Sequence, residues 1–341
     1  MQSLIVLAMR KRFLQTILSG VILALLSTAF LGCRNSGEKQ AVSKEKKVLV
    51  IAKEAFQRSK TNMDGSISSQ WLLSDSLSEY ASIEHIEKLA TINDDPIKRL
   101  IAFRALLSKY PHEAVNLAIS HIEDTTIVST TDGVCGEEDR VSNVRICMLH
   151  DNERYHVSEE DLVRLDSAML FSANISKFGY SYWLYQYIPA KTEYEDRLRQ
   201  IYEQDPWALV ALAKYKREKD KQKIIRLFSL ARDKESMNIR GTLSAALHSV
   251  VFWPDTAFKP FVQQGCQRIM NDRYGNFEVA FRALIAYNEQ WSYDMVEKAL
   301  ADAKQKKSDD FGYLVLNFHN AYEDNPRPLF KQLIEKYPLE K

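Results

Sequence analysis

The chain has 341 residues, with 46 Lys and Arg against 45 Asp and Glu, a net charge of +1. That balance leaves no basic footprint for nucleic acid and no acidic tail. Plentiful Tyr and Phe, 16 and 15, argue against a disordered stalk, and only 11 Gly and 9 Pro disfavour an all-β fold, which needs frequent turns.

At the N-terminus, Arg10-Lys11-Arg12 precede an apolar run from Phe13 that ends in Phe30-Leu31-Gly32-Cys33, and the chain turns polar at once in Arg34-Asn35-Ser36-Gly37-Glu38. A basic stretch, an apolar stretch and a small residue before a cysteine resemble the signal peptide and lipobox of a bacterial lipoprotein. The resemblance implies that residues 1–32 are removed and that Cys33 carries lipid (palmitate among its acyl groups). It places the domain outside the cytoplasm, anchored to the inner or outer membrane of a bacterial envelope. Phe30 and Leu31 depart from the usual Leu-then-small pair of that box. The run is also about 20 residues long, enough for a spanning helix, so an uncleaved anchor is the alternative.

Residues 33–62 then read as a polar tether and residues 63–341 as the folded domain. From Ile67 onward the helical period dominates. Leu72, Leu73, Leu77, Tyr80 and Ala81 share one face, followed by Ile83, Ile86, Leu89 and Ala90. Asn93-Asp94-Asp95-Pro96 supplies a cap and a first-turn proline for a helix over Ile97 to Tyr110, with Ile97, Leu100, Ile101, Arg104, Ala105 and Leu106 in its periodic rows. Pro111 opens a second helix through Ile122, making a hairpin that cannot bury both faces alone.

Asp94-Asp95-Pro96-Ile97-Lys98-Arg99, then Ala102 and Ala105-Leu106, resemble the first helix of a HEAT repeat, offset by about one residue. Further hairpins are expected from Asp205-Pro206-Trp207 through Ala231, and from Phe277–Tyr287, Val296–Ala303, Tyr313–Tyr322 and Leu329–Tyr337. An internal echo joins Leu106-Leu107-Ser108-Lys109-Tyr110-Pro111-His112-Glu113 to Leu333-Ile334-Glu335-Lys336-Tyr337-Pro338-Leu339-Glu340. Tetratricopeptide repeats end helices in the same way, but their 34-residue period is not evident. The expected fold is therefore all-α, a helical-hairpin solenoid that is HEAT-like, with a tetratricopeptide-like stack as the alternative. A break at residues 188–192 makes a candidate boundary between two halves.

Cys135 and Cys147 flank the polar stretch from Gly136 to Arg145, and an oxidising compartment would permit a disulfide between them, worth about 3 kcal/mol. Two small buried thiols are the alternative. Cys266 reads as an inert core thiol. Tyr180, Tyr182, Trp183 and Tyr185 form an aromatic cluster suited either to ligand contact or to filling a joint between helices. His150 and His156 bracket Asp151 and Glu153, which reads as a solvated loop ahead of a metal site.

No phosphate-binding Gly loop, His-Glu-x-x-His, Gly-x-Ser-x-Gly or paired Cys-x-x-Cys occurs. No catalytic residue, cofactor or metal is therefore nominated. Glu235-Ser236 matches the start of the lytic transglycosylase motif, but the Gly-Leu-Met-Gln that follows in that family is missing. The expected function is a membrane-anchored, non-enzymatic protein-interaction scaffold. A cell-wall hydrolase using an acid such as Glu235 is the alternative.

Overall fold

The structure is a computed structural model that describes residues 55–339, apart from 93, 133–134, 152–153, 232–240, 273–274 and 306–310. The lipobox-like segment, Cys33 and Glu235 lie outside the described residues. The chain is mostly helical and divides into two units, the second beginning at Ser181. The division falls upstream of residues 188–192. Pro189 ends a short helix there, and that helix belongs to the core of the second unit.

In the first unit β1 (Phe56–Gln57) is followed by α1 (Ser69–Tyr80), α2 (Ile83–Ile92), α3 (Pro96–Lys109) and α4 (Pro111–Ser120), then β2 (Ile127–Asp132), β3 (Cys135–Arg140), α5 (Val141–Leu149) and α6 (Glu159–Phe171). Helix α3 is the hub. It starts as its sequence predicts: Asp95 Oδ1 accepts the Ile97 N–H at 2.9 Å, with Pro96 in the first turn. Its residues 100–107 are all buried, and α1, α2, α4, α5 and β1 pack around it. Phe56, Leu100, Ile101, Val128, Val141 and Val144 form one continuous apolar cluster.

Two features depart from expectation. A three-stranded sheet, ordered β1-β2-β3, accompanies the helices, with β1 parallel and β3 antiparallel to β2. The polar segment after Cys135 is thus a strand, held by its ladder to β2 rather than by a buried face of its own. In β2 the β-branched Val128 and Thr130 point inward while Ile127 and Ser129 point out, the two-residue alternation of a half-buried strand. The second departure is in α1, where Trp71 and Ser74 are buried while Leu72, Leu73 and Tyr80 are exposed. The face with more apolar residues is the outer one.

The second unit runs α7 (Ser181–Tyr187), α8 (Thr192–Tyr202), α9 (Ala208–Ala213), α10 (Lys221–Leu230), α11 (Thr242–Phe252), α12 (Lys259–Met270), α13 (Phe277–Tyr287), α14 (Gln290–Gln305), α15 (Phe311–Asp324) and α16 (Lys331–Lys336). Helix α7 packs on α9, α9 on α11, α11 on α13 and α13 on α15, while α8, α10, α12 and α14 each pack on the helix that follows. All six residues of α9 are buried, as are nine of the eleven in α13. Near Gly265 the packing is close: a Cβ there would stand 2.9 Å from Leu243 Cδ1 and 3.4 Å from Phe228 Cε1.

The Lys-Tyr-Pro echo has a structural basis. Tyr110 and Tyr337 both precede proline, both donate their N–H to the carbonyl four residues back, and both sit near φ −130°, ψ 70°. Trp253, before Pro254, ends α11 in nearly the same conformation. The proline ring forbids the helical conformation to the residue before it, so each helix stops there.

Among the described residues no helix is long and apolar enough to cross a membrane. An ion-pair network braces the start of the second unit. Glu195 meets Arg199 at 2.7 Å and Arg217 at 2.8 Å, and Arg199 meets the buried Asp220 at 2.9 Å. Hydrogen bonds from Arg217 and Arg199 lower the Glu195 pKa from 4.5 to about 2. The folded value lies below the unfolded one, so this stabilisation is present above pH 4.5 and is lost as pH falls toward 2. Discounted for solvent screening, about 1–2 kcal/mol of acid sensitivity is expected from it. Unfolding of Glu195→Gln compared with the parent at pH 6 and pH 3 should show the difference between them shrinking at the lower pH.

Candidate functional site

The aromatic cluster nominated from sequence is internal. Tyr180, Tyr182, Trp183 and Tyr185 are 9 %, 8 %, 1 % and 0 % exposed. Tyr180 stacks on His150 at 4.4 Å in the first unit. In the second, Tyr182 meets Trp207 edge-on at 5.8 Å and Trp183 lies 4.4 Å from Tyr187. Burial, and next the nearby Asp205 charge, pushes the Tyr185 phenol pKa up. These rings are packed in the interior and offer little surface.

Cys135 opens β3 and Cys147 sits in α5, both half-buried thiols with no disulfide in this structure. Cys266 is fully buried, its Sγ 3.6 Å from the Ala280 carbonyl, and burial raises its pKa far above the ordinary thiol range. It is the inert core thiol that its sequence context suggests. His150 is also internal, with Nε2 at 3.2 Å from Asp166 Oδ1, whereas His156 is exposed, so the two histidines do not converge. Among the described residues no cluster of three His, Cys, Asp or Glu side chains could hold a metal.

Buried cations are the feature that motif searching missed. In the second unit Arg282 is answered by Asp324 at 3.0 Å and Glu278 at 3.8 Å. Lys214, at the end of α9, donates to the carbonyls of Gln186 and Ile188 at 2.7 and 2.6 Å and lies 4.6 Å from the Phe252 ring. In the first unit Arg145 donates to the Ala90 carbonyl at 2.6 Å, with Asp124 at 3.7 Å.

Arg104 is placed much as Arg145 is. It sits in the middle of the buried run of α3, is 1 % exposed, and has its guanidinium carbon 4.3 Å from the Phe56 ring centroid and 4.1 Å from that of Trp71. Its Nη2 donates to the Gln57 carbonyl at 2.5 Å, and the Tyr155 hydroxyl also interacts with the guanidinium, while Nε and Nη1 have no close hydrogen-bond partner among the described residues. Among the described residues Trp71 Nε1 and, one turn further along α1, Ser74 Oγ have no close hydrogen-bond partner, while the Tyr155 hydroxyl interacts with Arg104 and Arg154. Arg154 approaches the same indole to 5.0 Å and donates to the Arg58 carbonyl at 3.3 Å, with Asp151 3.5 Å away. Burial first, and then Arg154, lowers the Arg104 pKa to about 10 against the opposing pull of Tyr155 and Asp75, so it remains a cation at neutral pH. The one signal of this cluster in the sequence was an arginine in an apolar row of the best-patterned helix.

No protein-family model matches the chain, and no match was found among curated proteins or solved structures.

Proposed function

We propose that the chain is a lipid-anchored protein of the bacterial envelope whose helical stack serves as a non-enzymatic scaffold for a protein partner. The observation that carries this reading is the serial packing in the second unit, where every alternate helix from α7 to α15 meets the next and an intervening helix backs each step. That arrangement supports a HEAT-like or tetratricopeptide-like solenoid, an architecture that presents an extended binding surface. The alternate helices α9, α11 and α13 are nearly all buried, which moves the expected partner surface off them and onto the backing helices and the turns. The basic-apolar-Gly-Cys order ending at Cys33 supports the anchor. The scaffold role itself comes by analogy of architecture, which licenses a class of function and no named partner.

Cys33→Ser tests the anchor. Metabolic labelling with a palmitate analogue should vanish and the protein should leave the membrane fraction. Retention in the membrane with residues 1–32 still attached would mean an uncleaved anchor instead. For the scaffold, the purified chain should release no soluble fragments from isolated cell wall. Fragment release that disappears in Glu235→Gln would replace the scaffold with a hydrolase.

A further inference from the structure

We propose that the outer face of α1, with the turn that precedes it, rests on the surface of the lipid bilayer that holds the anchor. The proposal rests on the lipid-anchor reading and adds to it the face that the first unit turns to the membrane. In α1 the buried residues are Trp71 and Ser74, while Leu72 and Leu73 are half exposed and Tyr80 is 80 % exposed. Positions 72, 73, 76 and 80 recur with the helical period, so the two leucines, Ser76 and Tyr80 form one outward stripe without a charge. A helix facing water ordinarily keeps its charged residues on that side.

The turn ahead of the helix extends the apolar surface. Asn62 donates its N–H to the Ser66 carbonyl at 2.7 Å, Gly65 donates to the Asn62 carbonyl at 3.0 Å, and Asp64 Oδ1 accepts the Ser66 N–H at 2.9 Å. Gly65 has φ +81°, and a Cβ there would meet nothing within 4 Å, so the tip of the turn has open space around it. The closed turn holds Met63 outward, 73 % exposed, and Ile67 beside the Ser68 cap is half exposed.

A bilayer is the occupant that this surface fits. Residues 34–54 join Cys33 to Ala55, so an acyl group on Cys33 keeps Ala55 within roughly 75 Å of the bilayer even at full extension. Helix α1 is the first helix beyond that point. Tethering raises the local concentration of lipid at this face, so a shallow apolar contact is sufficient. Tyr80 suits the headgroup boundary, with an apolar ring and a polar tip. Within residues 59–80 Lys60 stands against Asp64, Asp75 and Glu79, which makes the contact apolar and not an attraction to anionic headgroups.

The test is a chemical footprint of the full chain, held by its lipid in phosphatidylcholine vesicles. Peroxide oxidation of Met63 and nitration of Tyr80 are read by mass mapping, with the exposed Tyr313 of the second unit as reference. Leu72→Glu combined with Leu73→Glu should raise both rates at least about threefold over the parent. Tyr313 reactivity and the thermal midpoint should stay constant, and the variant should still float with the vesicles. Protection in the parent should persist from about 0.1 M to about 1 M salt, because apolar contact is not screened. Equal reactivity in parent and variant overturns the docking, and flotation tells which reading failed. If both chains float, the anchor stands without the docking; if neither floats, both are lost. Protection in native membranes but not in pure lipid would assign the face to a protein partner and overturn the proposal as well.

Discussion

Trp183→Ala is expected to lower the unfolding free energy of the second unit by about 3–5 kcal/mol, the range for removing a large aromatic side chain from a packed core. Trp183 is 1 % exposed and lies 4.4 Å from Tyr187 in a helix whose residues 181–186 are all buried. The indole has few places to be replaced from, because the neighbouring α9 contributes only small and branched side chains, Ala-Leu-Val-Ala-Leu-Ala. Trp183→Phe keeps a ring in the space and should lose about half as much or less. Denaturant unfolding of both variants decides between packing and ligand contact. A ligand-contact residue would tolerate alanine with little change in stability.

Lys214→Met is expected to be more favourable, relative to the parent, at pH 7 than at pH 9. The Lys214 ammonium is held between the Gln186 and Ile188 carbonyls and against Phe252, with no carboxylate among the partners described for it. Burial lowers its pKa from 10.5 to about 7. The folded value is the lower one, so between pH 7 and 10.5 the unfolded chain binds the extra proton and this residue makes stability rise with pH. Each pH unit in that window is worth up to about 1.4 kcal/mol, so roughly 2 kcal/mol should separate the two measurements after allowance for partial exposure. Methionine fills similar space and has no proton to exchange, so its advantage should shrink as the pH is raised. An advantage that stays constant from pH 7 to pH 9 would mean that Lys214 titrates normally. Tyrosines whose pKa is raised by burial, Tyr215 to about 12 among them, ionise well above this window and leave the comparison clean.

Local chemistry made much of the helix pattern legible. Asp95 and Pro96 start α3, Phe277 and Tyr287 bound α13, and three X-Pro steps end helices in one shared backbone conformation. Each of these depends on atoms within four or five residues of each other, so the sequence is sufficient to state it. The small sheet was not legible, because β1 has only two residues and takes its place by pairing with β2 more than seventy positions later. Nor was the inner face of α1. Its three most exposed large side chains are Leu72, Leu73 and Tyr80, since what counts is the neighbour that the helix meets, and α3 meets it at Trp71 and Ser74.

The same division runs through the functional residues. By itself the sequence determined the helical class, the balanced charge, the lack of a known catalytic signature and the basic-apolar-Gly-Cys start, all of which are properties of composition or of contiguous residues. Only the tertiary structure decided that the tyrosine cluster is core and that the notable group is Arg104. Whether a polar atom is satisfied depends on partners from Phe56, Trp71, Ser74, Arg154 and Tyr155, which are scattered along a hundred residues. An arginine in an apolar helix row announces that something must answer its charge. Folding alone reveals what does: the rings of Phe56 and Trp71, the Gln57 carbonyl, the Tyr155 hydroxyl and the nearby charge of Asp75.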